Sequence, residues 1–375
     1  MTVPLSRRHL LGAAATAGAV SLVPGIAPGI AWAAAATAKR FVFIIQRGAA
    51  DGLAVLPPLG DPALVGLRGQ LFDPDATKLD GFFGLHPALA QTAGLFRGGE
   101  ARAWHAVATA YRDRSHFDGQ NVLESGGAAP YAVKTGWIGR LLPLLPTPDR
   151  SALALAPAIP LALRGDRPVA TYAPGRLPQA SDDLLLRVGA LYEADAQLAP
   201  LWTEALKTRQ LAGDIGGNGG RNGGELGKLA ASLLVAEDGA RVMMIETGGW
   251  DTHSQQKGRL AAQLRGLDAL LAELRTGLGP AWRDTLVLVA TEFGRTAAVN
   301  GTGGTDHGTA SAAFLLGGGL PKGKPVEADW PGLAPGSLYE GRDLKPTAAL
   351  TDVATSALAA HYGLAAARLA GVFAA

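Results

Sequence analysis

The sequence predicts an α/β protein whose sheet contains parallel strands. Two apolar runs, residues 241–245 and 285–290, have the length and the β-branched content of buried parallel strands. The segment between them carries six leucines spaced three or four residues apart, which is the period of one helix face: Leu260, Leu264, Leu267, Leu271, Leu274 and Leu278. A strand, a helix and a strand in this order form a right-handed βαβ unit, so both strands should point the same way.

Composition narrows the classes of function. The chain has 375 residues, of which 48% are hydrophobic and 18% charged, and this is typical of a globular protein with an ample core. Removing Arg7 and Arg8 from the 34 Lys and Arg leaves 32, equal to the 32 Asp and Glu, so no basic excess indicates nucleic acid binding. The sequence contains no cysteine, which excludes disulfides, thiol catalysis and thiolate metal ligands.

The amino terminus has the features of an export signal. The letters SRRHLL at residues 6–11 form a twin-arginine motif, and a Gly/Ala-rich run leads to a small-x-small cleavage site at residues 31–33. We predict a signal peptide at residues 1–33, read by the twin-arginine export machinery, and a periplasmic or extracellular protein. An uncleaved anchor is the alternative, but Pro24 and Pro28 disfavour a spanning helix, so no stable membrane span is expected after cleavage.

Residues 34–375 are predicted to form a single α/β domain that begins with a buried strand at residues 41–45. Asp51 follows this strand, as carboxylates follow the later strands. Because ligands bind outside the carboxyl ends of strands in open α/β sheets, Asp51 is a candidate metal ligand. The alternative is a turn aspartate, since Asp-Gly is common in turns.

A second strand is predicted at residues 103–108, and a helix begins soon after it. Ser115 lies at or just before the start of this helix, where backbone N–H groups and the helix dipole favour anions, so it is a candidate nucleophile beside His116. A simple capping role for Ser115 is compatible with the same position. Four arginines near the predicted strand ends are candidates for binding an oxyanion substrate: Arg47, Arg112, Arg114 and Arg295.

The middle of the chain is predicted to carry inserted loops at about residues 126–224. Its last part, residues 213–224, is a Gly-rich loop that lacks the Gly-Lys-Ser/Thr ending of a phosphate loop and follows no strand. A helix at 225–236 then precedes the central βαβ unit, and a strand at 312–316 and a helix at 350–362 follow that unit.

Polar clusters follow each strand of the central unit and form a candidate metal site. They contain Asp251 and His253 after the first strand, Glu292 after the second, and Asp306 and His307 after a Gly-rich loop. Carboxylate and imidazole groups are natural ligands for a divalent metal, and two such sets would suit a dinuclear site that acts on an ester. In that scheme either Ser115 or a metal-activated hydroxide attacks. The expected cofactor is a divalent metal, zinc or manganese, with one or two ions.

Five motifs, in this order behind the leader, resemble those of domain of unknown function family 1501: FVFIIQRGAADGL, RSHFDGQNVLESG, GGWDTH, ATEFGR and GGTDHG. That family is related to the alkaline phosphatase and sulfatase superfamily, and the resemblance implies a doubly wound, mostly parallel sheet with helices on both faces. It also implies metal ligands at Asp51, Asp251 and His253 and a nucleophile at Ser115. The chain departs from the superfamily pattern at Glu292-Phe293, where an Asp-His pair is expected.

Two functions from different classes follow. The first is an exported metal-dependent hydrolase of phosphate or sulfate esters, acting on a small-molecule or polymer substrate of the cell envelope. The second is a non-catalytic periplasmic binding or assembly protein on the same fold, which the Glu292-Phe293 replacement favours. Neither reading involves a nucleic acid partner.

Overall fold

A computed structural model describes the chain at residues 39–146, 152–173, 223–236 and 239–373, and at 188–189, 191–192, 195, 197–203 and 205. The predicted leader and most of the predicted Gly-rich loop lie outside the described residues. The end of that loop was predicted wrongly, because Gly223 and Gly224 are the first residues of a helix. No helix in the described segments has both the length and the apolar character that crossing a membrane requires.

Eleven strands lie in the described part of the chain. In chain order they are β1 (Arg40–Gln46), β2 (Thr77–Lys78), β3 (Gly84–Leu85), β4 (Ala101–Ala108), β5 (Ala152–Leu155), β6 (Ala170–Thr171), β7 (Val242–Thr247), β8 (Thr285–Ala290), β9 (Ser311–Leu316), β10 (Val326–Glu327) and β11 (Ala348–Ala349). Nine of them form one sheet in the order β10-β4-β9-β8-β1-β7-β5-β6, with β11 beside β4. The other two, β2 and β3, form a small antiparallel pair.

The sheet is mostly parallel, as predicted. Strand β1 lies at its centre and pairs in parallel with β8 on one side and β7 on the other. The two strands of the predicted βαβ unit therefore do point the same way, but β1 lies between them. Only β9 runs antiparallel to its neighbours β4 and β8 among the described strands of this sheet.

Helices cover both faces of the sheet. The α-helices given by the described residues are α1 (Gly52–Val55), α2 (Leu64–Arg68), α3 (Ala90–Arg97), α4 (His116–Ser125), α5 (Trp137–Leu141), α6 (Gly223–Val235), α7 (Gln256–Leu278), α8 (Leu350–Tyr362) and α9 (Ala366–Phe373). Short 3-10 helices span Gly69–Leu71, Leu142–Leu144, Leu161–Leu163, Gly279–Asp284 and Pro335–Ser337.

The alternation of side chains along β1 divides the core into two layers. Val42 and Ile44 pack with residues of α3, α6 and α7, and the predicted leucine face of α7 lies in this layer. Phe41, Phe43 and Ile45 point the other way and pack with residues of α5, α8 and α9. This arrangement confirms the predicted α/β fold with helices on both faces.

The segment predicted as inserted loops contributes to the sheet. Strand β5 pairs in parallel with β7, and β6 continues the sheet beyond it. Helix α5 packs its Trp137 against Phe43 of β1, with ring centroids 5.4 Å apart. Part of the segment 126–224 therefore belongs to the core of the domain and is not an inserted loop.

Candidate metal centre

The carboxyl ends of β1, β7 and β8 bring three loops into contact. The N–H of Ala50 donates to the hydroxyl of Thr291, 3.0 Å away, which ties the loop after β1 to the loop after β8. Gly48 has a φ of +117°, and a Cβ atom there would lie 2.6 Å from the backbone nitrogen of Asp251. Only glycine permits this approach, so the RGAADG motif serves to let the β7 loop pack closely.

A cluster of three histidines and one aspartate lies at this edge. Ligand atoms of His116, Asp251 and His307 all lie within 4.8 Å of one another. The Nε2 atom of His253 lies 2.9 Å from that of His307 and 3.0 Å from Oδ1 of Asp251. These four side chains come from the start of α4, from the loop after β7 and from the loop before β9, and we call them the histidine cluster.

Each imidazole of the histidine cluster has its Nδ1 atom held by an oxygen that can only accept. His116 Nδ1 lies 2.8 Å from Oε1 of Glu292, and His307 Nδ1 lies 2.9 Å from the carbonyl oxygen of Arg114. His253 Nδ1 lies 3.1 Å from Oδ1 of Asp306. Because carboxylates and carbonyls accept hydrogen bonds, all three Nδ1 atoms carry the proton.

The Nε2 atoms of the three imidazoles therefore point toward Asp251, and in the neutral form of a ring Nε2 carries a lone pair. The Nε2 atoms of His253 and His307 are 2.9 Å apart, beside the negative charge of Asp251. The Nε2 atom of His116 is buried and has no hydrogen-bond partner among the described residues, although it lies 3.5 Å from Oδ2 of Asp251. The Arg295 guanidinium donates to Asp251 and, at 3.4 Å, approaches Nε2 of His253. The Nε2 atoms of His116 and His307 converge on the carboxylate with no such donor among the described residues, so these residues fit a divalent metal ion.

The local charges shift the pKa values in two directions. Burial lowers the pKa of His307, which favours the neutral form that a metal requires. The hydrogen bond to Glu292 raises the pKa of His116 against the opposing effect of burial. Burial disfavours the charged form of Asp251, but the hydrogen bond and the charge of Arg295, together with the nearby His253 and His116, hold the pKa of Asp251 low.

Glu292 lies behind the histidine cluster and orients it. Its carboxylate is fully buried and accepts hydrogen bonds from His116, from the N–H of Gly48 at 2.8 Å and from Gln120 at 3.2 Å. Burial disfavours its charge, but these donors, His116 first, hold the pKa of Glu292 below its usual value. Glu292 was predicted to be a metal ligand, but the structure places it as a hydrogen-bond partner of the candidate ligand His116.

Phe293, the departure noted in the sequence, packs against the cluster. Its ring stacks on His116 with centroids 5.0 Å apart and an interplanar angle of 24°, and it lies 5.3 Å from His307. A buried aromatic ring at this position limits the rotation of two imidazoles. The Glu292-Phe293 pair thus supports the site from behind.

Asp306, like Glu292, lies behind the histidine cluster and contacts one of its imidazoles. Its Oδ1 atom accepts from His253 and from the amide of Asn300, 3.1 Å away, and its side chain is 57% exposed. The hydrogen bond from Asn300, followed by that from His253, lowers the pKa of Asp306. Asp306 therefore fixes the tautomer of His253.

Asp51 is placed outside the histidine cluster. Its buried carboxylate pairs with Arg68 at 2.5 Å, accepts from Gln256 at 2.5 Å, and caps α1 through the N–H groups of Leu53 and Ala54. Burial of both charges requires such a full set of partners. The structure thus gives Asp51 an ion pair and a place at a helix N-terminus. Of the two roles predicted from the sequence, a structural aspartate in a turn describes these surroundings better than a metal ligand does.

Three of the four arginines proposed for substrate binding are held by carboxylates of the protein. Arg47 pairs with Glu124 at 2.8 Å and with Glu246 at 2.7 Å. Arg114 donates to Asp343 at 2.8 Å and to Glu340 at 2.5 Å.

The third, Arg295, is fully buried. It donates to Asp251 at 2.5 Å and to four backbone carbonyls, those of Gly48, Ala49, Trp250 and Thr305. Arg295 therefore fastens the three loops together, and its guanidinium has little capacity left for a substrate.

The fourth, Arg112, differs. Within the part of the chain that the structure describes, it bonds only to the carbonyl oxygens of Thr109 and Tyr111, and it lines a cavity that shares no residue with the histidine cluster.

Ser115 caps the start of α4 by position but not by its side chain. It is the N-cap residue and makes no side-chain capping hydrogen bond, and its N–H donates to the hydroxyl of Tyr111 at 3.1 Å. Its neighbour Arg114 has a φ of +62°, which turns the Arg114 carbonyl toward His307. The proposed nucleophile is thus next in sequence to a residue of the histidine cluster, and its role stays a prediction.

Sequence reasoning missed the residues that hold the candidate ligands. Gln120, Asn300 and Gly308 are examples, and a Cβ atom at Gly308 would lie 2.4 Å from the backbone of Arg295. The close Gly308 contact explains the glycine of the GGTDHG motif, but no local pattern indicates which polar residues 50 to 240 positions apart will pair.

The fold and the cluster define an α/β protein with a group of histidines and a carboxylate that could hold a metal ion at the carboxyl edge of its sheet. The chain belongs to the family of proteins of unknown function DUF1501, whose sequence model matches residues 74–334, as the motifs predicted. A comparison with curated proteins finds no match.

Several solved structures are distantly similar. The C-terminal periplasmic domain of EcEptC from Escherichia coli, in complex with Zn, has 7% identity and a TM-score of 0.39, over 74% of this chain and 73% of that one. The lipoteichoic acid synthase LtaP from Listeria monocytogenes has 10% identity and a TM-score of 0.36, over 78% and 68%. Alkaline phosphatase from the Antarctic bacterium TAB5 has 10% identity and a TM-score of 0.35, over 74% and 91%. Likeness at this level leaves the chemistry of the chain to its own residues.

Proposed function

We propose that this protein is a metal-dependent hydrolase of phosphate or sulfate esters. One observation carries the proposal: ligand atoms of His116, Asp251 and His307 lie close together, Nε2 of His253 lies beside the last two, and each of the three imidazoles has its Nδ1–H bound by an oxygen acceptor. Metal-binding histidines almost always have such an acceptor behind them, since it fixes the tautomer and raises the basicity of the ligand.

The donor set favours a late transition ion. His116, His253 and His307 would hold it through nitrogen and Asp251 through oxygen, and imidazole suits zinc better than magnesium or calcium. One group of ligands is found among the described residues, so we expect one ion rather than two. Of the two metals considered from the sequence, zinc fits three imidazoles better than manganese.

A divalent cation held in this way supplies Lewis-acid polarisation of an ester oxygen. The chain itself supplies the remaining groups. Ser115, at the start of α4, is our candidate for the attacking hydroxyl, because it lies at a helix N-terminus and its side chain makes no capping bond. His116 is adjacent to it and would hold the cation through Nε2, and its raised pKa means that a proton competes with the cation for this atom.

We also propose that the protein is exported from the cytoplasm. The twin-arginine motif at residues 6–8 supports translocation of the folded chain, and a periplasmic or extracellular location would bring it into contact with envelope esters. The expected partners are the twin-arginine machinery and an ester of small or polymeric size.

The test is metal content followed by turnover. Protein purified from its export compartment without chelators should contain about one equivalent of zinc by mass spectrometry, and His307→Ala should lose it. Nitrophenyl phosphate and nitrophenyl sulfate, followed by a broader ester panel, should be hydrolysed by the wild type and not by His307→Ala. Protein that remains free of metal even after reconstitution with zinc would refute the proposal.

A second candidate is a metal-containing binding protein without catalysis. It is favoured by the pairing of Arg47, Arg114 and Arg295 with protein carboxylates, because no oxyanion clamp is left beside the cluster among them. Stoichiometric zinc without turnover of any ester in the panel, and with turnover still absent after removal of the signal peptide, would establish this reading.

A further inference from the structure

A cavity of about 560 Å³ lies between α4, α5, α8 and the central strands. This volume is in the range of pockets that hold small organic ligands. The cavity and the histidine cluster share no residue. Its lining combines an apolar end with a polar end, and each end indicates part of a ligand.

The polar end carries a cation that no carboxylate neutralises. The Arg112 guanidinium contacts only the carbonyl oxygens of Thr109 and Tyr111, at least among the residues that the structure describes, whereas Arg47, Arg114 and Arg295 each pair with a carboxylate. A half-buried guanidinium with only neutral partners favours an anion nearby.

The start of a helix at this end also supports an anion. Leu350, also in the lining, is the first residue of the 13-residue helix α8, whose N-cap Ala349 offers no side-chain cap. The uncapped start of a helix favours negative charge, and the acidic residue of its first turn, Asp352, is exposed and does not line the cavity.

The apolar end is formed by side chains of the second core layer. Phe43 and Leu288 come from β1 and β8, and Trp137 and Phe373 stack with centroids 5.1 Å apart. These surfaces are mostly hydrocarbon, so they suit a hydrocarbon chain or ring.

We propose that this cavity binds an anionic amphiphile, with a carboxylate or phosphate head between Arg112 and the start of α8 and an apolar chain beside Trp137. The site is independent of the histidine cluster, and its occupation needs no metal. A neutral amphiphile of equal length would fill the same apolar space but leave Arg112 without a counter-charge.

Calorimetric titration with decanoate, decyl phosphate and decanol, each below its micelle threshold, tests the proposal. Decanoate or decyl phosphate should bind about tenfold or more tightly than decanol, which is the difference expected for one charge-assisted hydrogen bond. Whichever of the two anions binds more tightly identifies the head group. Quenching or a shift of tryptophan fluorescence should accompany binding and disappear in Trp137→Phe.

Two variants and a control separate the head from the chain. Arg112→Gln should weaken the anion about tenfold and leave decanol unchanged, whereas Ala128→Trp, at the exposed rim of the cavity, should weaken all three ligands. Arg265→Gln, which removes the same charge from the exposed face of α7, should change nothing. Thermal melts would establish that each variant folds.

Equal affinity for decanol and decanoate, binding that ignores Arg112→Gln, or no binding of either anion would overturn the proposal. Because chelated protein should give the same titration, a failure here is distinct from a failure of the metal centre.

Discussion

Replacing Glu292 by Gln removes a charge behind the histidine cluster while leaving the hydrogen bonds possible. The Oε1 position, which accepts from His116, Gly48 and Gln120, can remain a carbonyl oxygen. The Oε2 position lies 3.0 Å from the Thr291 hydroxyl, which can accept from the new amide. The substitution therefore tests charge rather than shape.

The expected loss is set by the role of Glu292 as partner of a ligand. A neutral amide polarises the His116 imidazole less than a carboxylate does, so Nε2 becomes a weaker donor. Changes of this kind reduce metal affinity roughly 10–100-fold, or about 1.4–2.7 kcal/mol. The pKa of His116 should also fall, because the hydrogen bond to Glu292 is the largest cause of its elevation.

Competition with a zinc-sensitive dye would give the affinity, and the His116 imidazole resonance followed against pH in the metal-free protein would give the pKa. Glu246→Gln is a matched control, because it removes a carboxylate at the end of β7 that pairs with Arg47 and not with a histidine.

Unchanged zinc affinity in Glu292→Gln, in a protein that melts like the wild type, would refute the reasoning. An equal loss in Glu246→Gln would refute it as well, since the effect would then be one of net charge rather than of the contact with His116.

Three further predictions concern other parts of the molecule. Asp306→Asn should lower zinc affinity by about tenfold at most, because that carboxylate is 57% exposed, and the dye competition measures it. Arg68→Met should lower the free energy of unfolding in urea by about 3–5 kcal/mol by leaving Asp51 buried without its ion pair, while metal content stays at the wild-type level; loss of the metal would restore Asp51 as a ligand. Burial lowers the pKa of His361 to about 4 from 6.5, so the unfolded chain takes up a proton first as the pH falls. The protein should therefore lose about 2 kcal/mol of stability between pH 7 and pH 5, and His361→Gln should not show this part of the loss in urea unfolding curves.

Most of the sheet could be predicted because its signals are local. The apolar runs that became β1, β7 and β8 and the leucine period of α7 are patterns within one segment, and burial on both faces explains them. The pairing of β1 between β7 and β8 could not be read from these patterns, since each strand is equally apolar.

The histidine cluster was only partly predictable, because its contacts join residues that are far apart in the sequence. The rule that ligands gather at strand ends brought Asp251, His253 and His307 together correctly in space. It could not separate ligands from their supports, because Glu292 and Asp306 follow strands and loops in the same manner. That distinction depends on which polar group approaches which, and such pairs join distant parts of the chain.

The arginines show most clearly that the sequence alone does not identify the partner of a charged side chain. Arg47 meets Glu246 and Arg114 meets Asp343 across 199 and 229 positions, respectively. An arginine near a strand end is equally a candidate for substrate or for structure until its carboxylate is known.

Because the residues of the histidine cluster are far apart along the chain, the proposed ion would also act as a cross-link. His116 and Asp251 are 135 positions apart and His307 is a further 56, so one ion would join three loops that the backbone connects only at a distance. A chain with no cysteine has no disulfide to serve as such a staple. Metal bound at this edge would close two long loops at once, reversibly, and a chelator would open them. A partly folded chain, in which β1 has not yet aligned β7 and β8, would lack the complete ligand set, so retention of the ion would report that the sheet is finished.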